Sequence, residues 1–250
     1  MRIVSWNCNG GLRNKLSVLN SLTADVFIIQ ECEDPSRSTK KYQEWAGEYI
    51  WVGESKNKGI GVFPKNGNFV RALNWFKEYT IEGLESNSAY LSWNTSDLRL
   101  FLPFRLNNSL TVLGVWTKGT RDQAFGYMGQ FWKYLQLHRA ELSSTDSIII
   151  GDFNSNSIWD QRDRWWNHTD VVAELESIDK KSLYHYCFKE QQGEETTPTF
   201  YLQKNLKKAY HIDYVFASSN YLNSSSCKIA NAEDWLKYSD HMPLIINLVE

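Results

Sequence analysis

The segment "SIIIGDFNSNSIWD", residues 147–160, decides the predicted fold. Ile148–Ile150 form an apolar run without polar interruption, which is typical of a strand buried on both faces. Asp152 and Asn154 follow at its end. A carboxylate beside a buried strand is costly unless it is paired or binds something. The segment therefore predicts a strand that delivers a carboxylate and an amide to a site.

Composition is that of an ordinary globular chain. The 250 residues are 42% hydrophobic and 22% charged, so we expect one domain over residues 1–250. The net charge of −2 gives no overall attraction to nucleic acid. There is no CxxC pattern, no apolar leader and no stretch near the roughly twenty apolar residues of a membrane span. We expect a cytoplasmic monomer that does not contact the membrane.

Strands outnumber helices along the chain. A strand at Arg2–Trp6, leucines at helical spacing from Leu12 to Leu22 and the strand "ADVFIIQ" predict a β-α-β beginning. Short strands separated by turn residues follow, and the longest helical pattern runs from Gln123 to Leu142. A helix through Val171–Ile178 and the strands "HIDYVFAS" and "PLIINLV" complete the pattern. Such mixed connections predict a layered α/β fold with more than one sheet.

Polar side chains also stand at the ends of the other strands. Asn7 and Glu31 follow the first two strands, Asp213 begins "DYVF", and Asp240 and His241 precede the last strand. Taken singly, each is more typical of a turn or a solvated pair. Five such clusters in one chain instead indicate a shared site, because α/β folds build sites at strand ends.

The residue types in these clusters favour one chemistry. Three of them offer the oxygen ligands that Mg²⁺ prefers, namely Asn7, Glu31 and Asp240. Asp152 could take a proton from an attacking water, and Asp213 could orient His241. The sequence carries no nucleophile elbow, activated cysteine or phosphate-binding glycine loop. The set predicts metal-assisted attack of water on a phosphate ester.

The segments "SWNCNG", "IIQE", "IIIGDFN", "HIDYVF" and "SDHMP" resemble, in this order, the motifs of the endonuclease/exonuclease/phosphatase superfamily. This group includes exonuclease III, the AP endonucleases and the inositol-polyphosphate phosphatases, and the resemblance spans residues 5–243. It implies an α/β fold, a four-layer sandwich of two mixed β-sheets packed face to face with helices on the outer faces. It also implies dependence on Mg²⁺, or Mn²⁺ in its place.

The resemblance further implies a role for each group. Asn7 and Glu31 would lie in the metal site with Asp240 close to it, Asp152 would position or activate the water, and Asn154 would contact the phosphate. Asp213 and His241 would form a dyad facing the phosphate, and either Asp152 or His241 would be the base. Trp116 stands where relatives carry a phosphate-contacting Tyr or His, and an indole cannot transfer a proton. Lys118 replaces a proline usual in the family.

The sequence alone leaves open which residues contact the substrate. Phe200 and Tyr210 match the segment that receives the abasic sugar in AP endonucleases, and a core role explains them equally well. Asn156 and His168 could hold in place the residues that contact the substrate. Tryptophans among arginines in "IWDQRDRWWNH" could stack bases or simply pack a loop.

Three functional hypotheses result. The first is a Mg²⁺-dependent nuclease of exonuclease III/AP endonuclease type that acts on DNA in repair. The second is a phosphodiesterase or phosphatase for RNA or a small phosphorylated molecule, which the near-neutral charge allows. The third is a non-catalytic relative that binds nucleic acid or protein.

Overall fold

The structure, a computed structural model, describes residues 1–83, 88, 91–120 and 124–249. The strands within these ranges are β1 (Arg2–Asn7), β2 (Val26–Cys32), β3 (Ile50–Ser55), β4 (Lys58–Pro64), β5 (Val70–Ala72), β6 (Glu78–Thr80), β7 (Ser92–Asn94), β8 (Phe101–Leu106), β9 (Leu110–Trp116), β10 (Ser147–Asp152), β11 (Lys181–Ser182), β12 (Phe200–Tyr201), β13 (Ala209–Tyr210), β14 (Asp213–Ala217), β15 (Ser226–Ile229) and β16 (Leu244–Asn247). The α-helices there are α1 (Leu16–Asn20), α2 (Lys40–Ala46), α3 (Met128–Leu142), α4 (His168–Glu176), α5 (Leu183–Phe188), α6 (Ser219–Leu222) and α7 (Ala232–Trp235).

Most of the strands form two six-stranded mixed sheets. The first has the order β15-β16-β1-β2-β4-β3 and the second the order β11-β14-β10-β9-β8-β5. The parallel pairs are β1 with β2 and β9 with β10, and the other neighbours are antiparallel. Two short hairpins, β6-β7 and β12-β13, lie outside the large sheets.

The two sheets pack face to face, and β10 shows how. Ile148 and Ile150 belong to the buried cluster that contains Val4 and Ile28 of the first sheet. Ile149, on the other face of β10, is buried in a second cluster formed with α3 and α4. Burial on both faces explains the uninterrupted isoleucine run, because every side chain of the strand meets apolar neighbours.

Helices cover the outer faces of both sheets. On the first sheet, Trp45 of α2 packs against Phe27 of β2 and Phe63 of β4, with ring centroids 6.0 and 5.1 Å apart. On the second sheet, Phe131 of α3 packs edge-on against Phe153, 5.0 Å away. The predicted α/β class, with mixed sheets between helices, is confirmed.

Several element limits differ from the sequence prediction. The longest helix begins at Met128, and Gln123 lies outside the described residues. The α4 helix ends at Glu176, before Ile178. The first helical pattern divides into a 3-10 turn and the short α1, because Lys15 adopts a non-helical backbone conformation between them. In the described part of the chain, no helix has the length and apolarity to cross a bilayer.

Candidate functional site

The ends of strands from both sheets meet at one place. Asn7 ends β1 in the first sheet, and Asp152 ends β10 in the second. The Asn7 side-chain amide donates a hydrogen bond to Asp152 Oδ2 at 2.9 Å and another to Glu31 Oε1 at 3.3 Å. Asn7 therefore joins the two sheets and brings both carboxylates to one position.

A β-bulge directs Glu31 into this position. The pairing of β2 with β4 shifts register between Gln30 and Cys32, and Glu31 adopts a left-handed conformation with φ 60°. Such a bulge inserts one extra residue and re-aims its side chain. Gln30 and Cys32 stay fully buried, whereas the Glu31 carboxylate reaches both Asn7 and Lys58 Nζ, the latter at 2.6 Å.

Asp240 joins the same group through Asn9. The Asn9 side chain donates to Asp240 Oδ1 at 2.9 Å, and its backbone N–H donates to Asn7 Oδ1 at 3.0 Å. The residues predicted as metal ligands thus gather around the end of β1. Carboxylate and amide oxygens of this kind fit a hard divalent cation, and Glu31 forms an ion pair with the ammonium of Lys58 in this structure.

Asp213 and His241 form a buried hydrogen-bonded pair beside Asp152. His241 Nδ1 lies 3.0 Å from Asp213 Oδ2, and Nε2 lies 3.9 Å from Asp152 Oδ2. Ligand atoms of these three residues lie within 4.8 Å of one another. Burial acts to lower the pKa of His241, but the charges of Asp213 and Asp152 outweigh it and raise that pKa. The ring therefore favours the protonated state.

Two residues close to Asp152, Gly151 and Asn154, have positive φ angles. Gly151 has φ 150°, and a Cβ there would lie 1.9 Å from the carbonyl oxygen of Val115 in β9. Asn154 has φ 47°, and its backbone N–H and side-chain amide both donate to the Asp152 carboxylate at 2.9 Å. Burial, with the nearby charge of Asp213, raises the pKa of Asp152.

Of the residues predicted to contact substrate, Trp116 and Phe200 lie beside Asp152 and His241, and Tyr210 lies beside Phe200. Trp116 is buried at the end of β9, paired in register with Asp152. The Phe200 ring packs 4.6 Å from that of His241, and Tyr210 follows at 6.4 Å from Phe200. Their roles in binding stay predictions.

Asn156 and His168 are held by the protein itself. The Asn156 amide donates to Glu195, to the His211 carbonyl and to the Tyr214 hydroxyl, all within 3.1 Å. The ring nitrogens of His168 contact Ser155 and Gln192, and burial lowers the His168 pKa to about 4. These contacts are consistent with a role in holding other residues in place, and a direct substrate contact stays a prediction.

Sequence reasoning missed three residues that shape the site. Lys58 reaches Glu31 only because β2 pairs with β4, and Asn9 reaches Asp240 across 231 positions of sequence. Thr199 accepts hydrogen bonds from the N–H of Asp213 and of the preceding residue. The segment "PTFY", residues 198–201, resembles a Thr-Phe element of the superfamily and could have indicated Thr199, whereas nothing in the linear pattern could have indicated the other two.

A sequence model described as "Endonuclease/Exonuclease/phosphatase family" matches residues 4–241. A search of curated protein sequences finds no match.

Solved structures share the fold at low sequence identity. A 3′-5′ exonuclease, NExo, from Neisseria meningitidis is 15% identical, with a TM-score of 0.69 and 100% of each chain covered. An AP endonuclease from Archaeoglobus fulgidus is 14% identical, with a TM-score of 0.63 and 100% of each chain covered. The Xenopus laevis APE2 catalytic domain is 18% identical, with a TM-score of 0.65, 99% of this chain and 91% of that chain covered.

Proposed function

Since this chain belongs to the Endonuclease/Exonuclease/phosphatase family, whose enzymes hydrolyse phosphate esters, we propose that it is a Mg²⁺-dependent DNA nuclease of exonuclease III/AP endonuclease type. The observation that carries the proposal is the Asn7 amide, which joins Glu31 and Asp152 from two different sheets. One structure of similar fold is described as a 3′ phosphatase bound to a product DNA hairpin, which supports DNA as the substrate.

In this proposal Asn7 and Glu31 would hold the cation, with Asp240 close by. Glu31 would offer carboxylate oxygens, and Asn7 would use Oδ1, which in this structure accepts the Asn9 N–H while the amide nitrogen faces Glu31 and Asp152. A bound divalent ion would neutralise charge that develops on the phosphate oxygens. Mn²⁺ takes the same ligands and would substitute.

Side chains of the protein would carry out the proton transfer and contact the phosphate. Asp152 accepts the proton of the attacking water, since burial raises its pKa and makes the carboxylate a stronger base. His241, kept protonated by Asp213, donates from Nε2 to the phosphate. Asn154 adds an amide donor, and Trp116 contributes at most one indole N–H.

A second candidate is a phosphodiesterase or phosphatase for RNA or a small phosphorylated molecule. Two lysines near the site are paired with carboxylates at 2.6 Å, Lys58 with Glu31 and Lys118 with Glu54. With a net charge of −2, this leaves less positive charge for a long polyanion.

The test incubates the purified chain and Mg²⁺ with DNA duplexes that do or do not contain an abasic site, with RNA and with a small aryl phosphodiester. DNA cleavage that requires Mg²⁺ is expected, and Asp152→Asn should abolish it even at saturating metal. Asp146→Asn, an exposed carboxylate just before the other end of β10, is the matched control and should cleave normally. Turnover of RNA or of the small ester, with DNA untouched, would favour the second candidate.

A further inference from the structure

A cavity of about 280 Å³ lies next to Asn154, which is hydrogen-bonded to Asp152. Its walls come from the start of α3 and from the loop after β10. We propose that this cavity, called here the base pocket, binds one unpaired nucleobase of DNA next to the phosphate that is cleaved. The inference rests on the proposed nuclease function and adds a substrate subsite to it.

Exposed aromatic rings on both walls favour a flat ligand. Trp159 lines the pocket, is 47% exposed and packs against Tyr210 at 5.2 Å. Tyr127 at the start of α3 is 50% exposed. Trp166, by contrast, is fixed against Phe125 at 4.4 Å and forms part of the rigid wall. Rings left accessible in this way offer stacking faces, and every base has a matching π-face.

The same walls favour an anion beside the ring. Arg164 lines the pocket and forms no ion pair with a carboxylate in the part of the chain that the structure describes. Met128 and Gly129 also line it, and the 15-residue α3 begins there with no acidic residue in its first turn and no side-chain cap. The N–H groups of Tyr127 and Gly129 already donate to the carbonyls of Lys118 and Gly126, so the helix start would favour an anion through its dipole and not through these two donors. Aromatic and anion-binding groups together match a nucleotide better than an apolar ligand.

The polar groups that line the base pocket do not favour recognition of one particular base. The Asn156 amide makes three hydrogen bonds within the protein, and Asp160 accepts from the backbone N–H groups of His168 and Thr169. Few donors or acceptors remain to distinguish base edges. The volume holds roughly nine waters at about 30 Å³ each, which is room for one flat base together with some solvent. The base pocket should therefore accept any base by stacking.

The test uses the full chain in EDTA, where metal-dependent turnover is absent, and hairpin DNA with a short unpaired tail. One tail base at a time is replaced by 2-aminopurine, whose fluorescence falls when it stacks on an indole. The wild type and Asp152→Asn should both quench it at one or two neighbouring positions. A base-less spacer at those positions should weaken binding about tenfold, the effect of one base–aromatic stack.

Trp159→Ala should lose the quenching and bind the intact tail about tenfold more weakly, while Trp159→Phe should retain binding. Trp165→Ala is the control, because Trp165 is 54% exposed in the same loop and does not line the pocket. Equal affinity of Trp159→Ala and the wild type, or equal affinity for base and spacer, would overturn the base pocket. Failure of the nuclease proposal would appear separately, as uncleaved DNA with Mg²⁺ despite normal quenching, and that quenching would still support the pocket.

Discussion

Thr199 holds together the two segments that carry the Asp213–His241 pair. Its hydroxyl oxygen accepts hydrogen bonds from the N–H groups of Ile212 and Asp213 at 2.9 and 3.0 Å. Its carbonyl accepts from the N–H of Met242, next to His241, at 2.7 Å. Thr199 is fully buried. Thr199→Val would keep the side-chain volume and leave two buried donors without that acceptor.

The expected loss of stability in Thr199→Val follows from those two donors. Each buried donor left without an acceptor costs about 1–3 kcal/mol, and we expect the free energy of unfolding to fall by about 3 kcal/mol. For a chain of this size the melting temperature should then fall by roughly 6–12 °C. Because Asp213 positions His241, kcat should fall more than KM rises.

Thermal unfolding followed by circular dichroism, and steady-state kinetics on a cleaved substrate, measure the two effects. Thr199→Ser is the matched control, since it keeps the oxygen and loses one methyl group worth about 0.8 kcal/mol. The reasoning fails if Thr199→Val melts within about 2 °C of the wild type, or no lower than Thr199→Ser.

Four further perturbations test other features of the site. Glu31→Gln should raise the Mg²⁺ concentration for half-maximal turnover about tenfold in a metal titration, with a smaller change in kcat; an unchanged requirement would contradict its role. Lys58→Ala should lower that concentration by a few-fold, because an ion pair with a half-exposed ammonium contributes about 0.2–1 kcal/mol; a raised requirement would count against competition with the cation. Gly151→Ala should fail to give soluble folded protein, since its Cβ would lie 1.9 Å from a backbone oxygen; normal expression would refute the clash. The His168 pKa falls from 6.5 to about 4 on burial, so the stability linked to its neutral form is full above pH 6.5 and is lost as pH falls toward 4; urea unfolding of His168→Gln should show a weaker acid effect.

The fold was largely predictable because burial leaves a direct trace in the pattern of apolar residues. The three isoleucines of β10 indicated a strand covered on both faces, and the two clusters around them confirm it. Element limits were harder to predict. Lys15 interrupts the first helical pattern through its backbone conformation, which side-chain periodicity does not encode.

The convergence of the strand ends was predictable only in part. Strand-end carboxylates marked Glu31 and Asp152 as candidates, since buried charge requires a partner. The β-bulge that aims Glu31 depends on pairing with β4, and the Lys58 contact depends on the same register. Such contacts arise from tertiary geometry and leave no local signal. The base pocket likewise forms between α3 and a loop that a linear pattern cannot bring together.

Segments far apart in sequence, β1 and the residues just before β16, both contribute to the candidate site. Strand β1 pairs with β16, and the indole of Trp6 donates to the carbonyl of His241 at 2.8 Å across 235 positions. A nascent chain therefore lacks His241 and β16 until all the other described strands have been synthesised. A polypeptide that stops before β16 should be inert toward phosphate esters, and activity should appear only after β16 pairs with β1.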